Sequence, residues 1–413
     1  MSKKKRSTGV WRGLTAVFAS LLVIVVGATS IVEANADFIN TRLGVSNFKI
    51  VDTADGEKRD SIYFKSEFGG ISELVAAKNA LAAEIASEGV VLFKNLSGTL
   101  PLNTADTVTL WGLNAINPTL GGKIGSSVSV NGDAGQKQYD LVTALTEKGF
   151  QLNQDMLSLY TSEEVNGEYG RNGGHSLTPS FGKMYSNSDA YCVGEAPAGI
   201  YTDAALASAD GTVAVVVLSR DSSEAADYNP AMKSVSTNPK KKENADSYER
   251  PLALSENEKA MIELAKAHSS KVVVLINANN PIEIEGLKND VGIGAIAWCG
   301  EPGANGFLGV ADALSGAANP SGHLPDTFAV SSVSAPSMVN FGVYLYTNNS
   351  QDGTGNLLTE NNKGDWYLVE SEGIYNGYKY YETRYEDAIL GQGNASDAAG
   401  AIAAEWKYED EVS

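Results

Sequence analysis

The sequence that decides the fold is GTVAVVVLSRDSSEAADYNP at residues 211–230. Residues 212–218 form a nearly continuous apolar, mostly β-branched run, which is typical of a strand buried on both faces of a parallel sheet. Polar residues follow at once, where we expect the carboxyl end of the strand. Because open α/β sheets bind their ligands at that end, a functional site is expected there.

Four further apolar runs of strand length accompany this one, at residues 90–93, 107–111, 271–276 and 294–298. Patterns with helical spacing separate them, so strand and helix alternate from residue 90 to residue 315. Such alternation favours an α/β fold with a mostly parallel sheet and right-handed crossovers. We therefore predict a three-layer α/β/α sandwich, in which helices flank the sheet.

Two helix starts are visible in the sequence. Over residues 72–87, Leu74, Leu81 and Ile85 recur with helical spacing and predict one apolar face, with Ser72 suited to capping the first turn. Further along, Ser255 and Glu258 have the spacing of a capping box.

Residues 1–36 are predicted to be a membrane-targeting segment rather than part of the globular fold. A basic cluster precedes twenty uncharged residues at 13–32, enough for a helix that spans a hydrocarbon core of ~30 Å. The basic end is expected to stay in the cytoplasm, so that the rest of a single-pass protein of the cell membrane lies outside the cell. The small-x-small sequence Ala34-Asn35-Ala36 leaves a cleaved signal peptide, and hence secretion, as the alternative.

The composition limits the partners of the chain. It has 50 acidic and 31 basic residues and a net charge of −19, so a nucleic acid backbone is repelled. The cysteines and histidines show no metal-ligand spacing, and the glycine-rich stretch at 112–135 contains neither GxGxxG nor GxxxxGK[ST]. We expect no nucleic acid, no metal and no cofactor. Cys299 ends an apolar run and is interpreted as a buried thiol, although a disulfide with Cys192 stays open.

Acid/base chemistry is the catalytic option that the residues leave. No GxSxG sequence indicates a serine nucleophile. Glu224 is the best placed carboxylate, since it follows the buried strand in a short polar loop. The same position also fits a solvent-facing glutamate without a catalytic role, so both interpretations stay open.

Four stretches resemble, in the expected order, glycoside hydrolase family 3, whose members are β-glucosidase-like enzymes. AEIASEGVVLFKNLSGTLPL at 83–102 resembles the opening of the family's α/β domain, and VVVLSRDSSEAAD at 215–227 resembles the loop with its acid/base glutamate. Residues 298–328 and EGIYNGYKYYETR at 372–384 resemble two later motifs. The resemblance covers roughly residues 60–410, and is to members in which the α/β domain precedes the barrel.

The resemblance implies hydrolysis of O-glycosyl bonds in a β-linked oligosaccharide or glycoside. Glu224 matches the acid/base position, while Arg220 and Asp227 match flanking polar positions and are predicted to bind substrate. Ser223 and Ala225 stand where the family commonly has glycines. In this family the nucleophile belongs to a TIM-barrel domain, and we find no match to that barrel here. We expect the chain to supply the acid/base half of the site and to be inactive or incomplete alone.

The expected organisation has four parts. Residues 1–36 are the basic tip and anchor, or a signal peptide; 37–71 are a lead-in; 72–343 are the α/β sandwich; and 344–413 connect toward a fibronectin-like or barrel part. The alternative function is a non-catalytic, membrane-anchored module that binds a sugar or a protein, with the tyrosines at 375–381 as stacking surfaces.

Overall fold

The computed structural model describes residues 8–36, 39, 66–121, 137–169, 190–191, 193–220, 228, 233–234, 246–339, 344–345, 366–367, 370 and 372–395. Glu224, Asp227 and Cys192 therefore lie outside the described residues. The chain divides into two units, Met1–Glu67 and Phe68–Ser413.

The first unit contains a long apolar helix, α1 (Thr8–Ala34), with no buried residue. The helix predicted at 13–32 is confirmed and continues further at both ends. By length and composition α1 is able to cross a membrane, and a signal sequence near an amino terminus passes the same test.

The second unit contains the sheets. Among the described residues its strands are β1 (Val91–Asn95), β2 (Thr107–Trp111), β3 (Gln151–Leu152), β4 (Ala190–Tyr191), β5 (Val213–Arg220), β6 (Lys233–Ser234), β7 (Lys271–Ala278), β8 (Ala295–Trp298), β9 (Tyr344–Leu345) and β10 (Trp366–Tyr367).

Helices of very different lengths accompany these strands. Those described after α1 are α2 (Ile71–Gly89), α3 (Leu113–Ile116), α4 (Leu141–Glu147), α5 (Gln154–Thr161), α6 (Asn166–Tyr169), α7 (Asp203–Ala209), α8 (Glu256–His268), α9 (Glu285–Asn289), α10 (Gly303–Ser315), α11 (Pro336–Val339) and α12 (Tyr378–Leu390).

Six strands form the main sheet in the order β1-β8-β7-β5-β2-β3. All neighbours in it are parallel except β1, which runs antiparallel to β8 at the edge. β5 lies in the middle and pairs with β7 from Val213↔Lys271 to Arg220↔Ala278. Every residue of β5 is buried, as the apolar run predicts. Two short pairs, β4 with β6 and β9 with β10, lie apart from this sheet.

Helices cover both faces of the main sheet. Val215 and Val217 of β5 face a core that includes Leu141 of α4 and Phe307 of α10. The intervening residues, Val216 among them, belong to a second core with side chains from α5 and α8. The alternation of side chains along each strand thus builds two apolar layers. The predicted mixed α/β sheet flanked by helices is confirmed, whereas the domain boundaries stay predictions.

The prediction for α2 is wrong in two respects. Ser72 does not cap the helix, because α2 begins at Ile71 after Gly70, which makes no side-chain cap bond. The predicted apolar face is also exposed, with Leu81 at 54% and Ile85 at 63% exposure. The contact with α10 uses small residues instead. A Cβ built on Gly309 would lie 1.9 Å from the carbonyl oxygen of Ala83, so the close approach of the helix backbones requires glycine.

Candidate active site

Polar side chains gather at the carboxyl ends of the neighbouring strands β2, β5 and β7. β5 ends in Ser219 and Arg220, and Ser219 pairs in register with Asn277 of β7. Gly112 directly follows β2. Because the three strands are parallel, these residues lie at one edge of the sheet, where α/β proteins place ligands. The segment that contains Glu224 continues from this edge after Arg220.

Arg220 is the central residue of a buried network that we call the Arg220 clamp. Its guanidinium binds the two carboxylate oxygens of Glu258 at 2.7 and 2.8 Å, and both side chains are fully buried. Its other N–H groups donate to the carbonyl oxygens of Ser219, Pro251 and Ala253. All five guanidinium donors therefore have acceptors. The clamp joins the last residue of β5 to residues 251–258.

Glu258 also stabilises the start of α8. Its carboxylate accepts the N–H of Ser255 at 2.9 Å, and the Ser255 hydroxyl accepts the N–H of Glu258 at 3.1 Å. The predicted capping box is thus confirmed. Spacing in the sequence identified this cap, but not the ion pair between Glu258 and Arg220. The predicted contact of Arg220 with substrate stays a prediction, and the structure places the guanidinium inside the protein.

Asn277 connects two loops to the same edge. Its buried side-chain amide donates to the carbonyl oxygens of Thr119 at 2.9 Å and Gly300 at 2.6 Å, and it accepts the N–H of Thr119 at 2.7 Å. The hydroxyl groups of Thr119 and Ser219 are hydrogen-bonded to each other at 2.9 Å. These bonds hold residues 119 and 300 against the ends of β5 and β7.

A buried carboxyl group, that of Glu195, lies beside this network. It accepts the N–H of Ala196 at 3.0 Å and that of Leu113, with distances of 3.1 and 3.3 Å to its two oxygens. Burial raises the pKa of Glu195 to about 8, and the nearby carboxylates of Glu258 and Asp246 add to this rise against the hydrogen bonds. Glu195 is therefore mostly protonated at neutral pH.

Asp246 is the third acidic residue near the clamp. It accepts the N–H of Asn257 at 3.0 Å. Burial raises its pKa to about 6, and the charge of Glu258 contributes, while hydrogen bonds and the charge of Arg220 act in the opposite sense. The ion pair with Arg220 keeps Glu258 charged, and this charge together with burial favours protonation of Glu195 and Asp246.

Gly112 has no room for a side chain. Its φ is 99°, and a Cβ would lie 3.1 Å from the Oε2 atom of Glu195 and from the carbonyl oxygen of Val217. Its N–H donates at 2.8 Å to the hydroxyl of Tyr160, which is 2.7 Å from the hydroxyl of Tyr201. Burial raises the pKa of both tyrosines above the ordinary range, so they act as neutral hydrogen-bonding groups.

Cys299, next to β8, has a free thiol. Its Sγ atom lies 3.4 Å from the carbonyl oxygen of Ile276, and burial raises its pKa to about 12. The prediction of a free thiol at Cys299 is confirmed, but the residue is partly exposed and not fully buried as expected. Within the described ranges, no group of three His, Cys, Asp or Glu side chains is placed to hold a metal ion.

A comparison with protein families matches the part of the chain that contains this sheet. Residues 90–378 match the glycosyl hydrolase family 3 C-terminal domain. The chain belongs to glycosyl hydrolase family 3. The match includes all six strands of the main sheet, and it confirms the resemblance found in the sequence motifs.

Curated relatives of this family 3 chain include β-glucosidases and β-D-xylosidases. It is 26% identical to β-glucosidase A of Butyrivibrio fibrisolvens over 324 residues. This alignment covers 73% of this chain and 32% of the relative. It is 27% identical over 308 residues to the β-glucosidase of Ruminococcus albus, covering 75% of this chain and 27% of the relative. The chain thus spans about a third or less of the length of these relatives.

Solved structures support the same fold. The β-glucosidase of Paenibacillus barengoltzii superposes with a TM-score of 0.52 at 25% identity, over 77% of this chain and 29% of the other. β-Glucosidase 3B of Thermotoga neapolitana, solved in complex with glucose, superposes with a TM-score of 0.51 at 23% identity, over 75% of this chain and 37% of the other.

The sequence located the edge of this family 3 domain but not all of its polar residues. Arg220 lies at the end of β5 as predicted, whereas the placement of Glu224 and Asp227 is outside the described residues. Neither Asn277 nor Glu195 was predicted from the sequence as a residue of this site. Asn277 had one usable signal, because it is a polar residue directly after the apolar run of β7. Glu195 had none, since the N–H of Leu113 that it binds is 82 residues away.

Proposed function

We propose that this chain is the acid/base domain of a retaining β-glucosidase-type glycoside hydrolase, with Glu224 as the proton donor. The observation that supports the proposal is the Arg220 clamp. It fixes the last residue of β5 four positions before Glu224, at the sheet edge where ligands bind in α/β proteins. A general acid has to be held at a defined position, and the clamp supplies a rigid base for its loop.

The proposed reaction uses two carboxyl groups. Glu224 protonates the leaving glycosidic oxygen while a nucleophilic carboxylate, supplied by a barrel domain outside this α/β domain, attacks the anomeric carbon. Glu224 then removes a proton from the water that releases the sugar. Retention requires the two groups to lie ~5–5.5 Å apart. The negative nucleophile and enclosure between the domains would raise the pKa of Glu224 into the range that a general acid needs.

Arg220 and Asp227 have different roles in this proposal. All five N–H donors of Arg220 are used inside the protein, so the residue positions the loop rather than binding a sugar hydroxyl. Asp227 follows Glu224 in the same segment and is proposed to accept a hydrogen bond from the substrate. The proposed substrate is a β-linked glucoside or oligosaccharide, because the two relatives that match about three quarters of this chain are named as β-glucosidases.

A complementation assay tests this proposal. The full chain is mixed with a separately produced barrel segment of a family 3 β-glucosidase, and hydrolysis of aryl β-glucosides is followed. We expect little or no turnover by the chain alone, and turnover with the barrel that falls about 10²- to 10⁴-fold in Glu224→Gln. The loss should be smallest with a dinitrophenyl leaving group, which needs no protonation. Glu88→Gln, an exposed glutamate at the end of α2, is the matched control.

Two outcomes would contradict the proposal. One is robust cleavage of β-glucosides by the purified chain without a barrel. The other is a complemented enzyme in which Glu224→Gln and Glu88→Gln have equal activity with every leaving group.

We also propose that α1 anchors the chain in the cell membrane with the α/β domain outside. The helix has 27 residues, none buried, and a basic cluster precedes it. In an alkaline wash of membranes, an anchored chain stays in the pellet. Recovery of a chain that begins near residue 37 in the soluble fraction would show a cleaved signal peptide instead.

A further inference from the structure

A concave site is lined by Leu252, and neither Arg220 nor Glu258 is among its described lining residues. Its volume is about 260 Å³, and its lining includes Tyr228, Leu252, Asn280, Asp326, Ser332 and Tyr381. We call it the Asp326 cavity. It combines the segments after β5 and β7 with the segment after α10 and the start of α12.

The Arg220 clamp holds one wall of this cavity. Leu252 lies between Pro251 and Ala253, whose carbonyl oxygens both accept hydrogen bonds from Arg220. The carbonyl oxygen of Leu252 accepts the N–H of Glu283 at 2.9 Å, and its side chain packs with Tyr228. Hydrogen bonds therefore hold this wall from two sides, as expected of a largely preformed small-molecule site.

A second ion pair holds the opposite wall. Glu283 binds Arg250 at 2.9 and 3.0 Å, and it accepts the N–H of Ser332 at 2.7 Å. Ser334, two residues further on, has its hydroxyl 3.0 Å from that of Tyr381. These bonds connect residues 331–334 to both α12 and the residues before α8.

The lining has the chemistry of a neutral polyol site. Two tyrosine rings provide flat apolar surfaces, and Asn280, Asp326 and several hydroxyl groups provide hydrogen-bonding partners. None of the described lining residues is Lys or Arg, and Asp326 adds a negative charge, so an anionic ligand is disfavoured. The N–H of Thr327 donates to one oxygen of Asp326 at 2.7 Å, which orients the carboxylate.

The volume limits the ligand to a small one. Pockets for drug-sized ligands span roughly 300–1,000 Å³, so a cavity of about 260 Å³ is suited to one ring rather than to an oligosaccharide.

We propose that the Asp326 cavity binds a single neutral sugar ring, with Asp326 accepting hydrogen bonds from adjacent hydroxyl groups and a tyrosine ring packing against the ring face. The described lining of this site does not include the clamp residues Arg220 and Glu258, and the proposal does not depend on the catalytic role proposed for Glu224. Its affinity is expected to be low, with a dissociation constant on the order of 1 mM, as ligand size allows.

Binding of small probes to the full chain in detergent tests the proposal. Glucose, glucuronate and cyclohexanol are titrated by calorimetry and by saturation-transfer NMR. We expect saturable binding of glucose and binding weaker by about tenfold or more for glucuronate, which carries a carboxylate, and for cyclohexanol, which has one hydroxyl group. Asp326→Asn should weaken glucose binding about tenfold and reduce the preference over glucuronate, whereas Asp106→Asn, an exposed control, should change neither.

Two further variants make the result decisive. Ser337→Phe fills the cavity from an exposed position and should abolish glucose binding without lowering the melting temperature. Glu224→Gln should leave binding unchanged. The proposal is overturned if glucose does not saturate, if glucuronate or cyclohexanol binds as tightly, or if Asp326→Asn and Ser337→Phe bind like the wild type. Loss of binding in Glu224→Gln alone would also overturn it, because the sugar would then occupy the catalytic site.

Discussion

Two arginine–glutamate pairs lie close together in the sequence of this domain but in different surroundings. Arg220 and Glu258 have no exposed side-chain surface, whereas Arg250 and Glu283 are 19% and 12% exposed. Both pairs are bidentate, with distances of 2.7 and 2.8 Å in the first and 2.9 and 3.0 Å in the second. The main difference is therefore the access of water to the charges.

The difference in water access affects the pKa of the acidic groups in and around each pair. Around Arg220 and Glu258, burial raises the pKa of Glu195 and Asp246, because further negative charge is unfavourable there. At the second pair, burial alone would raise the pKa of Glu283, but hydrogen bonds from Arg250 and Ser332 hold it below its ordinary value. Acid pH should therefore stabilise the region around Arg220 and Glu258 and destabilise the region around Arg250 and Glu283.

The largest expected effect comes from breaking the buried pair. Glu258→Ala leaves the Arg220 charge buried without its partner and removes the capping box of α8, so we expect a loss of about 3–5 kcal/mol in the free energy of unfolding. Urea unfolding followed by fluorescence measures it. Glu256→Ala, at an exposed position two residues earlier in the same helix, is the control and should cost less than about 1 kcal/mol.

A double variant separates the charge from the packing. Arg220→Met with Glu258→Leu replaces the pair by apolar side chains, and it should recover much of the stability that Glu258→Ala loses. A double variant as unstable as Glu258→Ala would show that the hydrogen bonds to residues 251–253, rather than the buried charge, dominate.

The second effect is on the pH dependence of stability. The pKa of Glu195 is raised to about 8 in the folded state, so its favourable contribution is complete below the unfolded value of about 4.3 and is lost as pH rises through 8. Wild-type stability should fall with pH over that window, with a slope of up to about 1.4 kcal/mol per pH unit.

Glu195→Gln should flatten this slope between about pH 6 and about pH 8, and urea unfolding across the range measures it. Glu164→Gln, at an exposed glutamate, should keep the wild-type slope. Parallel profiles of the wild type and Glu195→Gln would show that Glu195 is ionised in the folded protein.

The smallest effect is expected at the partly exposed pair. Glu283→Gln keeps the side-chain shape but removes the charge next to Arg250, and it should cost about 1 kcal/mol because water and Glu249 compensate part of the loss. The depressed pKa means that this contribution is present above about pH 4.3 and is lost as the pH falls below it.

Unfolding in urea at neutral and at acid pH tests this, with and without added salt. The wild type and Glu283→Gln should converge at acid pH, and salt should reduce their difference at neutral pH. If Glu283→Gln lost as much unfolding free energy as Glu258→Ala, water access would not distinguish the two pairs.

The parts of the fold that follow from local pattern were predicted well. β5 and β7 are continuous apolar runs, and Ser255 and Glu258 are neighbours on one helix turn. The buried face of α2 was predicted wrongly, because its apolar residues were expected to be buried. The close approach at Gly309 instead decides which side of α2 faces α10. Polar contacts between residues far apart in the sequence could not be predicted from local pattern either.

In the site, Glu195 illustrates this limit, since the segments that enclose it are far apart in the sequence and its burial depends on how they meet. Arg220 was predicted only in part. Its position at the end of β5 was predicted, and its contact with substrate stays a prediction, but the buried pair with Glu258 could not be predicted because the two residues are 38 positions apart.

The attachment of Arg220 also bears on how this domain can diverge. Among the described residues, the Arg220 guanidinium bonds to Glu258 and to the main-chain oxygens of Ser219, Pro251 and Ala253. The three main-chain bonds depend on the course of the backbone and not on which side chains stand at residues 219, 251 and 253. A protein with this arrangement is able to exchange side chains at those three positions over time, provided that the backbone keeps its course and the carboxylate of Glu258 is retained.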